Sequence, residues 1–580
     1  MEPGRETRGR AGRAVTGLAA GAVLGAALLA VFALGTHLGQ PNAAYSLFEW
    51  LVRVLPGRFV IFGLETTLRG LEAVGMNIKD TSKATEEALA LTELFAASAV
   101  AGLVFFAVVN PSEILRVRRR GLLLGAAAGT LMLLPVLTQG GGASASSLVV
   151  DALWVLIVFL VWGWTLGWLF TRAYPAPAPA RRAAPAPAQP AEAPAQPAAE
   201  AAAQPAEAPA QPAAEAPAQP AAEAERLDRR HFLIRMGGLV ATFVVLGAEV
   251  SEVLRVAGGP PASPAAQAPI PFPNAGSPVK PVPGTRPEYT PVAQHYRVDI
   301  DLTPPGIDAS SWRLKISGMV DNPVQLTLDQ LRTGYTRRDQ FITLECISNP
   351  VGGPLIGTTL WSGPSFRDVL ATARPRPGAN YAHMLSQDGF DEVVALSTVQ
   401  SDARVLLAYE WNGEPLPAAH GFPLRVYIPD LYGMKQPKWI TEIVVTPDSI
   451  PGYWVKRGWD KEAVRKTTSV IDTVATSNLQ HRGGRTWVPV GGIADAGSRG
   501  ISRVEVQVDG GPWETAELRQ PLSPLTWVLW RYEWPWAEGE HTFGVRAYDG
   551  DGVLQTAAPH APYPSGATGI DTMPASILPS

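Results

Sequence analysis

The sequence predicts a multi-domain protein with an N-terminal α-helical membrane bundle, an α+β domain and a C-terminal all-β sandwich. Three observations predict this class: long uncharged runs in the first third, mixed strand-like and helix-like segments in the middle, and alternating valines near the end. The 580 residues are too many for one hydrophobic core. The formal net charge of -4 does not suggest a general nucleic-acid binder, so no nucleic-acid partner is expected.

The membrane region is predicted to occupy residues 1–173. Four runs with almost no charge predict four transmembrane spans, at 14–36, 88–109, 121–139 and 152–171. Arginines that flank the first and third spans are typical of the cytoplasmic side: Arg5, Arg8, Arg10, Arg13, Arg116, Arg118, Arg119 and Arg120. A charged amphipathic segment at 47–74 predicts an interfacial helix in contact with membrane lipid.

The chain between residues 174 and 286 predicts connecting segments and no core. Residues 174–225 repeat Ala, Pro, Gln and Glu, which predicts a semi-stiff cytoplasmic spacer. In 226–256, Arg229-Arg230 followed by a short uncharged run is typical of a twin-arginine export signal or anchor. The alternative is a fifth ordinary membrane helix, and both interpretations place the later residues outside the cytoplasm. Residues 257–286 predict a Pro-rich tether.

The soluble part divides into two predicted domains, at 287–462 and 463–575. The first mixes strand-like runs at 341–344 and 424–428 with a short helix at 365–370 that Ser365 would cap. In the second, the runs 503–508 and 542–547 alternate apolar and polar residues and end in Asp-Gly turns. Such strands over about a hundred residues fit an immunoglobulin-like sandwich.

The chain has one cysteine, Cys346, which excludes an intramolecular disulfide and any cysteine-rich zinc or iron–sulfur site. Cys346 ends a strand-like run and opens a turn at 348–353, where backbone amides would be exposed. Its thiolate would be a soft ligand for a thiophilic metal. Taken alone, a small buried hydrophobic residue is the simpler interpretation.

Residues 289–573 resemble the sulfite-oxidase family of molybdenum enzymes, in which a catalytic domain precedes an immunoglobulin-like domain. The segments that carry the resemblance are 343–349 around Cys346, 409–425, 433–439, 296–299 and 504–513. The resemblance implies that Cys346 binds molybdenum and that Arg297 orients the substrate. It also implies that several residues contact a molybdenum-molybdopterin cofactor: Tyr296, Arg297, Asp388, His420, Arg425, Lys435 and Lys438.

Residue chemistry agrees with these roles. Arg425 keeps its charge at any working pH and would clamp the cofactor phosphate, while His420 and Lys438 add donors. Considered singly, Arg425 could equally be a solvated strand residue and His420 a loop histidine. The order and spacing of the set favour the cofactor.

Three departures from the family concern the substrate pocket. Val351 and two glycines stand where an arginine would follow the cysteine, Trp459 replaces a tyrosine, and no late arginine occurs at 569–573. Loss of positive charge should weaken sulfite binding. The membrane region at 1–173 contains only one histidine, His37, which directly follows the first predicted span, so a bis-histidine heme within this chain is not expected.

Together these features predict a multi-pass cell-membrane protein with an extracytoplasmic molybdenum oxidoreductase region. The expected reaction is two-electron oxygen-atom transfer on a small oxo-substrate, either sulfite oxidation or sulfoxide or oxyanion reduction. Electrons would pass to or from a separate cytochrome or membrane redox protein, and a homodimer is a further expectation. The alternative is a cofactor-free, membrane-tethered binding protein that uses its immunoglobulin-like domain.

Overall fold

The computed structural model describes residues 3–36, 40–55, 78–109, 114–139, 145–174 and 271–578, together with residues 38, 63 and 66. Most of the predicted interfacial segment at 47–74, the spacer, the twin-arginine segment and the start of the tether lie outside these residues. The described N-terminal helices are α1 Pro3–Thr36, α2 Ala43–Val54, α3 Ile78–Val108, α4 Ile114–Gln139 and α5 Ala145–Ala173.

All four predicted spans lie in helices that are long and apolar enough to cross a membrane. The stretches that meet this description among the described residues are Gly12–Thr36, Glu86–Val108, Arg116–Thr138 and Leu148–Ala173. A helix pairs the backbone N–H and C=O groups within the segment itself, and crossing an apolar bilayer would require this.

Glycines allow two pairs of these helices to approach closely. A Cβ on Gly17 would lie 2.3 Å from the carbonyl oxygen of Gly102, so α1 and α3 meet backbone to backbone. A Cβ on Gly121 would lie 2.4 Å from the carbonyl oxygen of Gly163 in α5. Both contacts belong to small-residue stripes at intervals of four, the packing typical of membrane helices.

The chain forms two compact units. One consists of residues 1–44, 91–136 and 149–260, and the other of residues 45–90, 137–148 and 261–580. The second unit therefore contains the predicted soluble region and also residues 45–54 of α2.

The predicted α+β domain contains three sheets. A five-stranded sheet has the order β2-β1-β11-β5-β6, in which β1 and β11 are parallel. Its strands are β1 Leu314–Gly318, β2 Val324–Leu326, β5 Tyr381–Ser386, β6 Asp391–Ala395 and β11 Ile440–Thr446. A four-stranded sheet orders β3 Arg337–Glu345, β4 Ile356–Pro364, β8 Glu410–Trp411 and β9 Glu414–Pro415, and β7 Leu406–Ala408 pairs with β10 Arg425–Tyr427.

Three short helices complete this domain: α6 Leu328–Thr333, α7 Phe366–Ala373 and α8 Leu396–Ser401. The predicted strands at 341–344 and 424–428 are present, within β3 and around β10. The predicted helix at 365–370 is α7, and Ser365 is its N-cap residue, but the expected capping hydrogen bond is absent. The buried hydroxyl of Ser365 has no partner among the described residues.

The C-terminal strands form two packed sheets, as the alternating valines predict. One sheet has the order β12-β14-β18-β17, with β13 beside β14, and the other has the order β16-β15-β19-β20. The first comprises β12 Thr468–Val474, β13 Gln480–Arg482, β14 Arg485–Asp495, β17 Glu517–Leu518 and β18 Val528–Pro535. The second comprises β15 Ile501–Val508, β16 Trp513–Thr515, β19 Gly539–Asp549 and β20 Asp571–Ile577. Val504, Val506, Phe543 and Val545 are buried between them.

Candidate cofactor site

Cys346 directly follows β3 and begins a loop that returns to β4. The Cys346 amide donates to the carbonyl of Leu355 at 3.0 Å, and the amide of Asn349 donates to the carbonyl of Cys346 at 3.0 Å. The side chain of Asn349 closes the loop, because its Oδ1 accepts from the Leu355 amide at 2.9 Å. This contact gives the asparagine of the cysteine motif a structural role.

The thiol of Cys346 is buried beside a hydroxyl. Its Sγ lies 3.0 Å from Oγ of Ser348, and the residue is 8% exposed. Burial raises the pKa of the Cys346 thiol, while the Ser348 contact acts in the opposite direction. A metal that bound here would stabilise the thiolate that burial disfavours.

A buried arginine holds the cysteine strand to the C-terminal sandwich. Nη1 of Arg465 donates to the carbonyl of Thr343 in β3 at 2.9 Å, and its guanidinium forms an ion pair with Asp495 of β14. Glu345 is also close, 3.8 Å from Arg465. Burial raises the pKa of Glu345 to about 7. The cysteine strand is therefore fixed from the sandwich side.

His420 and Arg425 lie together in an aromatic pocket. Nη1 of Arg425 donates to the carbonyl of His420 at 3.0 Å. The guanidinium carbon lies 4.6 Å from the ring centroid of Trp361 and 5.5 Å from that of Trp411. The His420 ring lies 4.6 Å from Trp411 and 5.7 Å from His295. The structure thus joins two predicted cofactor residues and adds His295.

This pocket carries positive charge, and within the described part of the chain no carboxylate forms an ion pair with Arg425. Nε of Arg425 is buried and has no hydrogen-bond partner among these residues. Burial lowers the pKa of Arg425 to about 10. Burial also lowers the pKa of His420 to about 2, and the neighbouring His295 and Arg425 act in the same direction. A buried guanidinium is costly unless an anion pairs with it, so the pocket suits an anionic group such as a phosphate.

Tyr296 connects this pocket with the cysteine. It belongs to the same buried cluster as Cys346, Trp361 and Trp411. Burial raises the pKa of Tyr296 well above its ordinary value, and Cys346 and Arg425 both influence it electrostatically. The predicted metal ligand and the predicted phosphate clamp therefore border one side chain.

Arg297 and Lys438 meet at one buried carboxylate. Nε of Arg297 lies 2.5 Å from Asp299, and the ammonium of Lys438 forms an ion pair with the same residue. Arg297 also donates to the carbonyl of Leu302 at 3.1 Å. Asp299 thus partly neutralises the two cations that the resemblance assigns to substrate and cofactor.

The remaining two predicted contacts lie in different surroundings. The ammonium of Lys435 is buried and pairs with Glu392 at 2.8 Å. Glu392 therefore already neutralises the positive charge that a phosphate would need. Oδ1 of Asp388 accepts from the amide of Phe390 at 3.0 Å. Burial raises the pKa of Asp388 to about 7. The roles of Lys435 and Asp388 toward a cofactor stay predictions.

The donor set is compatible with a metal that arrives with its own ligands. Among the described residues, no group of three His, Cys, Asp or Glu side chains could hold a metal ion. A metal bound to Cys346 would need further ligands, and the two sulfurs of a molybdopterin would supply them. The Nε of Arg425, buried and without a partner, fits the phosphate of that group.

Comparison with known proteins agrees with this chemistry. Residues 301–454 match the family described as "Oxidoreductase molybdopterin binding domain". Chicken sulfite oxidase is 30% identical over 278 residues, which cover 40% of this chain and 61% of the chicken protein. This region of the chain is an oxidoreductase molybdopterin-binding domain of the sulfite-oxidase type.

Other proteins are similar to this chain over comparable lengths. Human mitochondrial sulfite oxidase is 28% identical, with 42% of this chain and 53% of the human protein covered. Barley nitrate reductase is 28% identical, with 45% of this chain and 36% of that protein covered. The sulfane dehydrogenase SoxCD of Paracoccus pantotrophus aligns with 20% identity and a TM-score of 0.43, covering 50% of this chain and 84% of that one. The chain thus spans 61% or less of each curated relative named here.

A separate cavity lies between the cysteine loop and the C-terminal sandwich. It has a volume of about 660 Å³ and is lined by Val351, Gly352, Arg286, Asp472 and Asp571, among others. Arg286 forms an ion pair with Asp472 at 2.7 Å. Neither Cys346 nor Arg425 lines this cavity, so it is distinct from the cationic pocket.

Sequence reasoning missed three residues of the site. His295 immediately precedes the recognised segment, and its position beside Tyr296 was the available signal. Arg465 and Ser348 carry no motif of their own. Their roles depend on contacts that only the folded chain brings about.

Proposed function

We propose that this protein is a membrane-anchored molybdenum oxidoreductase that transfers an oxygen atom with two electrons on the extracytoplasmic face. The observation that carries the proposal is Arg425, a buried guanidinium beside His420 that pairs with no carboxylate of the residues the structure describes. It stacks on two tryptophans of the cluster that contains Cys346. This arrangement suits a single ligand that carries both an anionic group, which would pair with Arg425, and a metal, which would bind the thiolate of Cys346.

Each residue has a role that follows from its surroundings. Arg425 and His420 would bind the cofactor phosphate, and the thiolate of Cys346 would ligate the metal. Ser348 would donate to that thiolate, and Asn349 keeps the loop closed. When bound, the molybdenum cofactor supplies the two-electron exchange of an oxygen atom. The protein positions the group, excludes water from it and holds the thiolate in a fixed orientation.

The experiment is a cofactor measurement on the purified full-length protein. We expect molybdenum by elemental analysis and the fluorescence of oxidised pterin after denaturation. Arg425→Met should lose most of the pterin, whereas Arg376→Met, at an exposed ion pair with Asp321, should retain it. Wild-type protein that contains neither molybdenum nor pterin would overturn the proposal and favour the membrane-tethered binding protein.

The extracytoplasmic location is supported by the connections between the spans. Arginines before the first span and before the third favour the cytoplasm for those ends, which places the connection between the first two spans outside. Residues 45–54 belong to that connection and to the same compact unit as the molybdopterin domain. A domain that packs with an outward connection is expected on the outer face.

The charges around Arg297 and Lys438 favour a neutral substrate over sulfite. Both cations already pair with Asp299, and Val351 replaces the arginine that would follow the cysteine. Sulfoxides are neutral oxygen donors that would not need these charges. A screen of sulfite and sulfoxides with an artificial electron carrier tests this, and saturation by micromolar sulfite would contradict it. Electrons would reach the site from a cytochrome or a membrane redox protein, and dimerisation stays a prediction.

A further inference from the structure

Helix α2 contacts the molybdopterin domain through charged side chains. Oε1 of Glu49 accepts from the amide of Leu302 at 2.7 Å. The guanidinium of Arg53 forms an ion pair with Asp301 and donates to the carbonyl of Asp388 at 3.2 Å. These contacts join residues that are about 250 or more positions apart in the sequence.

A third segment of the domain contacts the end of the same helix. Nη2 of Arg457 donates to the carbonyl of Arg53 at 3.2 Å. Arg457 is itself held by the carbonyl of Tyr453 at 2.9 Å, and its guanidinium carbon lies 3.5 Å from the Tyr453 ring centroid. Segments near residues 301, 388 and 457 therefore converge on one helical turn.

The buried face of α2 is its polar face. Ser46, Glu49 and Arg53 lie three and four positions apart and so share one side of the helix. Ser46 and Glu49 are 5% and 7% exposed, whereas Val54 is 59% exposed. Burying a carboxylate and a guanidinium is costly unless their partners are in place. This interface is therefore specific for the groups that Leu302, Asp301 and Asp388 present.

Six residues separate the end of α1 at Thr36 from the start of α2 at Ala43. A short covalent connection thus joins α2 to the first candidate span. The covalent route from Ala173 to Pro271, the first described residue of the soluble region, is far longer and contains the Pro-rich spacer, the predicted export signal or anchor and the start of the Pro-rich tether. The domain is thus attached covalently through a long segment and non-covalently through its contacts with α2.

We propose that residues 45–54 of α2 form a clamp that holds the molybdopterin domain to the membrane region independently of the Pro-rich linker. Glu49 and Arg53 are its specific contacts. The clamp contacts residues next to the candidate cofactor site, because Asp301 and Leu302 come shortly after Arg297 and Asp299 in the sequence. Arg53 also positions the turn that contains Asp388. It is therefore a positioning residue and not a catalytic one.

The experiment severs the linker in the intact protein. A protease site is inserted within residues 261–268 of the full-length chain, and the protein is reconstituted in phospholipid vesicles. After cleavage and sedimentation, the wild-type domain should remain with the vesicles. The variant Arg53→Asp should release at least ten times more domain into the supernatant. Arg53→Asp combined with Asp301→Arg should restore retention, because the pair is rebuilt with the charges exchanged.

The matched control is Arg376→Asp, which breaks an exposed ion pair with Asp321 and should leave retention unchanged. If Arg53→Asp does not accumulate, Glu49→Gln replaces it, and several-fold greater release is expected. Release of the wild-type domain on cleavage would overturn the clamp. Equal retention of the wild type and the Arg53 or Glu49 variant would overturn it as well. Neither readout depends on activity.

Discussion

Arg465 and Asp495 form a buried ion pair at the junction between the molybdopterin domain and the first sheet of the sandwich. Their side chains are 1% and 0% exposed, and Arg465 also donates to the strand that precedes Cys346. Loss of one partner leaves a buried charge uncompensated.

We therefore expect Arg465→Met to cost about 3–5 kcal/mol of stability. The denaturant midpoint of the soluble region, followed by tryptophan fluorescence, measures the loss. Arg376→Met, whose ion pair is more than half exposed, should change that midpoint little. An unchanged midpoint for Arg465→Met would show that the buried pair contributes nothing net.

Asp388 should make stability depend on pH. Burial raises its folded-state pKa to about 7, so the folded protein holds a proton that the unfolded chain releases at about pH 4. This contribution favours folding below about pH 4 and is lost as the pH rises through about 7, by at most about 4 kcal/mol. Asp388→Asn should flatten the thermal stability profile in this range. Glu414→Gln, at an exposed carboxylate, should have the same stability profile as the wild type. If Asp388→Asn also had the wild-type profile, the folded protein would not hold the proton on Asp388.

Gly102 should not tolerate even a methyl group. A Cβ there would lie 2.3 Å from the carbonyl oxygen of Gly17, so Gly102→Ala must separate α1 from α3. We expect a lower thermal unfolding midpoint in detergent and a smaller purified yield. Gly12→Ala is the control, because no atom lies within 4 Å of a Cβ at that position. Equal midpoints for the two variants would rule out close α1–α3 packing at this crossing.

Asp299 should limit the affinity for sulfite. Asp299→Asn would remove the negative charge that Arg297 and Lys438 share. One negative charge fewer near the site should improve KM for sulfite on the order of tenfold. KM for a neutral sulfoxide should change little, and molybdenum content checks that the cofactor is retained. A parallel change in both KM values would show that Asp299 does not discriminate by charge.

The paired arginines of the export segment predict a simple defect. Replacing Arg229 and Arg230 by lysines should leave the molybdopterin domain in the cytoplasm if the segment is a twin-arginine signal. Protease protection in spheroplasts reports the location. Lysines preserve the positive charge that orients an ordinary membrane helix, so continued export would identify one.

The sequence was sufficient for features encoded locally. The structure has long helices at the four apolar runs and a strand at the valine alternation of 503–508. It also brings His420 and Arg425 together, as their short spacing predicts. The sequence did not predict contacts between residues that are far apart in the chain. Arg465 lies 122 positions from Thr343, and Glu49 lies 253 positions from Leu302. Ser365 shows the reverse case, because a suitable cap residue makes no capping bond once its hydroxyl is buried.

The contact between Glu49 and Leu302 matters for the choice of a recombinant fragment. A fragment that begins at residue 261 would contain the whole candidate cofactor site but neither Glu49 nor Arg53. The amide of Leu302 would then lose its carboxylate acceptor and Asp301 its guanidinium, on a surface that the full chain covers. Such a fragment is expected to expose this surface to water and to self-associate or lose stability there. Retaining residues 43–54, or supplying them as a peptide, is the remedy.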